Sequence, residues 1–349
     1  MMRHIDFGRR YVRLKGPLKW RIDIRSIVVS LILLFTTIIV AMFALMMGSM
    51  EFSLQEIFAA LGGQATGAAK TIVVEWRLPR VIAAIIFGAG LAVSGAIFQS
   101  ITRNPLGSPD IIGFSSGSYT GALLVLLGSG SASYLGVAGG ALAGGFVTAI
   151  LIYVLAFRNG TQGFRLIIVG IAISTILGSV NSMLLIQNES EVALTAAAWG
   201  VGSLNGVGWK HVLPAIIFVI FLLFCAWIMN RPLREMELGN DAANSHGVRI
   251  KRSQLLLIFL AVSLTAAPTA VMGPVSFVAL SAPQIVHRFT KSANSLIPSA
   301  AMGAVLLLGA DVLAQRIVPE TILPVGVVTL SLGGIYLLWL LFHQARSTP

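Results

Sequence analysis

The sequence predicts an all-α polytopic membrane protein with ten transmembrane helices and both termini in the cytoplasm. Three observations lead there. Charged residues are 11% of the 349 positions and hydrophobic residues 56%, whereas a soluble domain carries about 25% charge. The apolar runs come in units of roughly 20 residues, the length a helix needs to cross about 30 Å of hydrocarbon. Lysine and arginine gather at alternate gaps between those runs, as they do when basic loops stay cytoplasmic. Backbone amides in lipid must bond within helices or closed barrels, and continuous rather than alternating apolar runs exclude the barrel.

Charges and turn residues bound the elements in order. Residues 1–25 read as a basic cytoplasmic segment, and the run Ser26–Met50 is too long for a signal core, so it reads as an uncleaved first span. Val81–Thr102 is the second. No charge falls between Asp110 and Arg158, which leaves room for the third and fourth spans around a turn at Gly128-Ser-Gly-Ser131. Leu166–Gln187, between Arg165 and Glu189, is the fifth, and Val212–Asn230 the sixth. Ser253–Val286 is too long for one span; Pro268 and Gly273-Pro274 divide it into the seventh and eighth. Ala293–Ala310, running on towards Gln315, and Thr321–Phe342 complete ten.

Val192–Gly208 is uncharged but rich in glycine. With ten spans, 19 Lys and Arg lie on the side of the N-terminus and 5 opposite; a crossing here would make the split 13 to 11. The segment is therefore expected to be a short helix dipping into the outer face. The membrane domain then runs over residues 26–345, with residues 231–252 as a long cytoplasmic loop.

Composition also narrows the function. The net charge of +11 sits beside spans, which points to a lipid bilayer and away from nucleic acid. The single cysteine, Cys225, permits no intrachain disulfide and offers no metal cluster. Buried charge in lipid is costly and usually functional, yet Asp311 is the only carboxylate inside an expected span. The histidines (His4, His211, His246, His287, His343) lie outside the spans or at their ends. An ion-coupled carrier is disfavoured accordingly. No phosphate-loop pattern occurs, so the chain does not bind ATP that way. The loop Arg231–Arg252 carries helix signals over Leu233–Ser245 and a stop at Gly247, suited to a docking helix or to a solvated connector. In the fifth span Ser174, Gly178 and Asn181 share a face, with Thr175 and Ser182 alongside; the face suits pathway lining or interhelical hydrogen bonding. Gly88-Ala-Gly90, Gly139-Gly140, Gly144-Gly145 and Gly333-Gly334 read as close-packing positions.

Arg77-Leu-Pro-Arg80, Ser94-Gly-Ala-Ile-Phe-Gln99 and Arg103-Asn-Pro-Leu-Gly-Ser-Pro-Asp110 occur in an order and spacing that resemble the permease family of iron-siderophore and cobalamin ABC importers. Phe164-Arg-Leu-Ile-Ile-Val-Gly170, Gly202-Ser-Leu-Asn-Gly206 and Leu323-Pro-Val-Gly-Val-Val-Thr329 extend the resemblance over residues 30–345, and within the family the chain is most similar to ferric enterobactin permeases. The resemblance implies the type II ABC importer permease fold with ten spans. It also implies a second permease chain, a different one in preference to a copy although one chain carries the same marks either way, two cytoplasmic ATPases that hold the ATP and Mg²⁺, and a periplasmic siderophore-binding protein, with no cofactor and no catalysis in this chain.

Roles follow from the same likeness. Arg77 and Arg80 match arginines that receive glutamates of the binding protein; a third aligns with Gln315, so the adjacent Arg316 becomes its candidate. Leu238, Gly239, Ala243 and Gly247 fall in the ATPase-coupling helix, where His246 replaces an apolar residue. The inner gate falls at about Gly160–Arg165, including Gly163 and Phe164, with Ser174, Gly178 and Asn181 along the pathway. Gln284 stands where the family commonly has His. The expected cargo is a ferric catecholate chelate carried inward across the inner membrane. Haem or cobalamin import on the same scaffold, an ion-coupled carrier and a structural scaffold are the alternatives.

Overall fold

The computed structural model describes residues 11–13, 21–48, 50–128, 134–156, 163–188, 190–291, 295–318 and 322–347. Ahead of the first span lies an element the all-α reading lacks: strands β1 (Tyr11–Arg13) and β2 (Arg21–Asp23) pair antiparallel, with Val12 opposite Ile22. Asp23 Oδ1 accepts from the Arg25 N–H at 3.1 Å and caps α1 (Ile24–Met46). A second unforeseen element, α2 (Leu54–Leu61), starts at a capping box in which Ser53 and Glu56 satisfy each other's backbone. The Ser53 N–H and hydroxyl hold the Glu56 carboxyl below its usual range.

The second span is longer than expected. A π-helical stretch, Lys70–Arg77, runs directly into α3 (Leu78–Thr102), whose first turn carries Pro79. This continuous rod is the hub of the fold. It packs on α9 (Trp209–Ile228), α12 (Ile250–Met272), α13 (Val278–Thr290) and α14 (Leu296–Ala314), and most of its surface is buried. Gly88 and Gly303 lie face to face, each so close to the other's carbonyl that neither could carry a Cβ, which draws α3 against α14.

The short α4 (Pro109–Ile112) leads into α5 (Phe114–Gly128), and α6 (Tyr134–Ala156) packs back on it through Gly117, Gly121, Gly140 and Gly144. Most of the turn expected at Gly128–Ser131 lies outside the described residues. Of the expected packing pairs, Gly140 and Gly333 make close contacts while Gly139 and Gly334 face open space. α7 (Gly163–Ile186) is the fifth span, and α8 (Ser190–Gly200) is the short helix foreseen in the glycine-rich segment.

Pro268 does not interrupt its helix: α12 continues through it and ends at Gly273-Pro274. There the extended residues after α8 plug the break, with Ser203 N–H donating to the Met272 carbonyl at 2.6 Å. α15 (Val325–Ser347) closes the bundle, its Gly326 against the Val201 carbonyl. Seven helices among the described residues are long and apolar enough to cross a membrane: α1, the rod ending in α3, α6, α7, α9, α12 and α14. α5, α13 and α15 stand where the remaining three spans were expected, with shorter apolar stretches. The chain is thus an all-helical polytopic bundle apart from its strand pair.

Candidate functional site

The long loop at residues 231–252 differs from expectation in one respect. Instead of one helix it forms two, α10 (Asn230–Glu237) and α11 (Asn240–Ser245), because Gly239 sits at φ 121°, ψ 153°, a conformation that breaks a helix and excludes side chains. Leu238, at the break, is 70% exposed, whereas Ala243 is fully buried. Gly247, at φ 81°, ends α11 as its position predicts. His246 Nδ1 lies 2.6 Å from Glu235 Oε2, so the residue that departs from the family pattern braces α11 against α10. The loop is bolted to the C-terminal end of α3. The Ser100 hydroxyl donates to Glu237 Oε1 at 2.8 Å, and Arg103 Nη2 donates to the Met236 carbonyl at 3.0 Å and Asn240 Oδ1 at 3.1 Å.

At the opposite end of the same rod, Arg80, expected to receive a partner's glutamate, is already paired within the bundle. Its Nε and Nη2 bond both oxygens of Asp311 at 2.9 and 2.8 Å, the planar fork that favours arginine. Asp311 is 1% exposed and the Arg80 side chain 14%. Gln315 Nε2 donates to Asp311 Oδ2 at 2.9 Å, so the residue standing where the family has an arginine completes this cluster. Arg77 is likewise engaged, donating to the Leu45, Met46 and Met50 carbonyls at 2.7, 3.3 and 2.5 Å and lying over the Phe52 ring. Arg316 is exposed. A cavity of about 690 Å³ opens beside these groups, lined by Glu75, Trp76, Arg77, Arg80, Trp209 and Gln315 among others.

The motif residues between the two ends are joints. Ser94 donates to the Ala261 carbonyl at 2.7 Å and pairs with Thr265; Gly95 abuts the Ala279 backbone; Gln99 Nε2 donates to the Leu280 carbonyl at 3.0 Å. Gln284, whose role the sequence left blank, donates to the Pro105 carbonyl at 2.7 Å and ties α13 to the Asn104-Pro105-Leu106 turn. Asp110, in the connection outside the expected spans, is a joint the sequence reading missed. It accepts from the Ser115 hydroxyl at 2.9 Å and from the Phe277 N–H at 3.2 Å, anchoring the start of α13. Burial pushes its carboxyl up to about 6, against the lowering pull of Ser115, Phe277 and Ser108.

On α7 the polar stripe divides between a contact with α5 and an open face. Asn181, 5% exposed, accepts from the Thr120 hydroxyl at 2.7 Å, and Ser174 pairs with Ser116 at 3.0 Å, so both serve the contact with α5. Gly178 is open, and Thr175, Ser179 and Ser182 occupy the exposed face beside it, each donating to its own helix four residues back. The spacing had marked a polar helix surface without revealing which side met a neighbour. In the expected gate, Gly163 packs against Thr102 of α3 and Phe164 is 72% exposed; residues 160–162 lie outside the described residues. No group of three or more metal-ligating side chains occurs among the described residues.

A membrane bundle whose motif residues tie helices together, and whose polar clusters sit at the two ends of one rod, is a transport subunit. The profile of the FecCD transport family matches residues 35–343. The chain belongs to that family and is a permease subunit of an ABC importer, not an enzyme, in the inner membrane. It is 44% identical to the ferric enterobactin transport system permease protein FepG of Escherichia coli (strain K12), over 93% of this chain and 98% of that one. It is 32% identical to the hemin transport system permease protein HmuU of Yersinia pestis, over 90% and 95%. Among solved structures, a metal-chelate type ABC transporter in an inward-facing conformation superposes with a TM-score of 0.80 at 26% identity, covering 90% of this chain and 99% of that one.

Proposed function

We propose that the chain is the membrane permease of an iron-siderophore importer, carrying a ferric catecholate of the enterobactin type into the cytoplasm. The observation that carries this reading is the 44% identity to the E. coli ferric enterobactin permease across nearly the whole of both chains. The lower identity to the hemin permease makes haem the second choice. In this reading all ten apolar helices cross, including α5, α13 and α15, and both termini are cytoplasmic, with residues 26–345 as the membrane domain. A second, different permease chain completes the pathway; the exposed apolar faces of α7 and α15 support such a partner. ATP and Mg²⁺ are held by two ATPases beneath, and this chain holds no cofactor of its own.

The outer surface carrying Arg77, Arg80 and Arg316 receives acidic side chains of the siderophore-binding protein. The inner surface at Leu238, Gly239, Ala243 and Gly247 engages the ATPase, where Leu238 is the apolar side chain available to enter a groove. The passage runs beside the exposed α7 face at Gly178, with Ser174 and Asn181 holding that helix in place and Gly163 and Phe164 at its inner end. The test is reconstitution of both permeases with the ATPase and binding protein in liposomes. Labelled ferric enterobactin should accumulate only with ATP and should outcompete haem. Uptake without ATP, or uptake of haem alone, would overturn the assignment.

A further inference from the structure

The two clusters at the ends of α3 use one helix, and their chemistry suggests why. We propose that Asp311, through its bond to Arg80, is a positioning residue that latches α3 to α14 until a carboxylate of the docked partner competes for the same guanidinium. α3 then carries the release to the cytoplasmic loop. The proposal rests on the docking reading of the outer arginines.

Four observations carry it. Arg80 spends Nε and Nη2 on Asp311, and Nη1 has no partner among the described residues, while the side chain lines the 690 Å³ outer cavity. An entering carboxylate therefore meets a guanidinium already shared with another carboxylate. Second, the latch closes the outer end of the α3–α14 seam, the one drawn tight at Gly88 and Gly303. Third, the same helix ends at Ser100 and Arg103, which hold Glu237, Met236 and Asn240 of the loop. Fourth, α3 has 25 residues, so about 37 Å at 1.5 Å per residue separates its ends, and no proline interrupts it beyond its first turn. A buried helix without an internal proline, bonded at both ends, transmits a tilt more directly than a loop does. Coupling of this kind is demonstrated only by showing that both sites bias one element.

The experiment uses the complete reconstituted importer and reads binding-protein affinity separately from ATP hydrolysis with and without the binding protein. Asp311→Asn opens the latch in advance. Affinity should rise, because Arg80 is then free for the incoming carboxylate, basal hydrolysis should rise, and the stimulated-to-basal ratio should fall roughly tenfold, within the range usual for coupled sites. Adding Ser100→Ala and Arg103→Met, which cut the inner joint, should abolish that basal rise. Since Asp311→Asn alone risks misfolding, the exchange Arg80→Asp with Asp311→Arg provides a second variant. It keeps the ion pair but offers the incoming carboxylate no accessible arginine at position 80, and it should lose stimulation while the protein remains stable. A basal rise that survives the inner substitutions, or wild-type stimulation in the exchanged protein, overturns the latch. Arg316→Glu examines the docking reading separately: unchanged affinity removes the acidic partner, and the latch with it.

Discussion

Gly95 shows how little room a single residue leaves in this bundle. A Cβ there would fall on the backbone of Ala279, with the carbonyl carbon only 2.6 Å away, so Gly95→Ala must push α3 from α13. Overpacking of this kind costs about 1–3 kcal/mol. Gly139, one turn into α6 with nothing within 4 Å, should instead gain up to about 1 kcal/mol on conversion to alanine through helix propensity alone. Thermal unfolding of the two variants in detergent should therefore shift in opposite directions, and equal shifts would refute the packing account. The sequence marks both as glycines, and only the neighbour across the seam tells them apart. The Arg80–Asp311 pair was hidden for the same reason, since 231 positions separate its partners.

Asp110 gives the residue scale a pH dependence. Its carboxyl is raised in the folded protein to about 6 from 3.8, so the native state holds the proton more tightly than the unfolded chain. Stability falls as pH rises through that window, and above it the protein carries the full cost of an ionised buried group. Asp110→Asn removes that cost while keeping an acceptor for Ser115 or the Phe277 N–H. The melting temperature of the variant relative to wild type should be higher at about pH 8 than at about pH 4. A difference that stays flat across that range would exclude the carboxyl as its source.

At the scale of elements, α7 separates holding from lining. Asn181→Ala removes the acceptor of the Thr120 hydroxyl, a loss of about 0.6 kcal/mol for an interhelical bond in lipid. Thr175→Val and Ser182→Ala alter the open face and break only bonds within the helix. Asn181→Ala should thus lower stability with transport reduced in proportion to folded protein, while the double hydroxyl variant should change uptake with stability intact. If the two sets exchange behaviour, the faces have been assigned the wrong way round. Spacings of four and three place Ser174, Gly178 and Asn181 on one surface, but a helical period carries no information on what that surface meets. The helices α10 and α11 teach a related lesson. Gly247 could be read as a stop because it follows a helical run, whereas Gly239 sits inside one, where glycine permits a φ of 121° without marking that it is adopted. By contrast, the capping box before α2 was fully written in Ser53-Leu-Gln-Glu56 and needed only to be looked for.

For the whole molecule, the span boundaries were legible because charge is excluded from hydrocarbon. Most expected edges fall within a few residues of helix ends, and the break at Gly273-Pro274 lies where Gly and Pro put it. The strand pair and α4 were not legible, since three- and four-residue elements leave no period to read. What length alone cannot decide is whether α13, with only 13 residues, completes a crossing. It reaches a little under 20 Å at 1.5 Å per residue, short of the hydrocarbon thickness, and the extended residues before it must cover the rest. Protein supports that stretch at both ends: the Gly273 N–H donates to the Thr269 carbonyl and the Phe277 N–H to Asp110, while Pro274 packs against Gly202 and Phe277 against Gly333 of α15. Sidedness tests the arrangement directly. Cys225 is the only cysteine, so in a Cys225→Ser background single cysteines can be placed at Leu238, Lys291 and Trp76 and labelled with an impermeant maleimide. Ten crossings require Leu238 and Lys291 to react from the cytoplasm and Trp76 from outside. Placing Lys291 on the outer side would mean that α13 turns back without crossing, which would break the alternation of basic loops on which the topology stands.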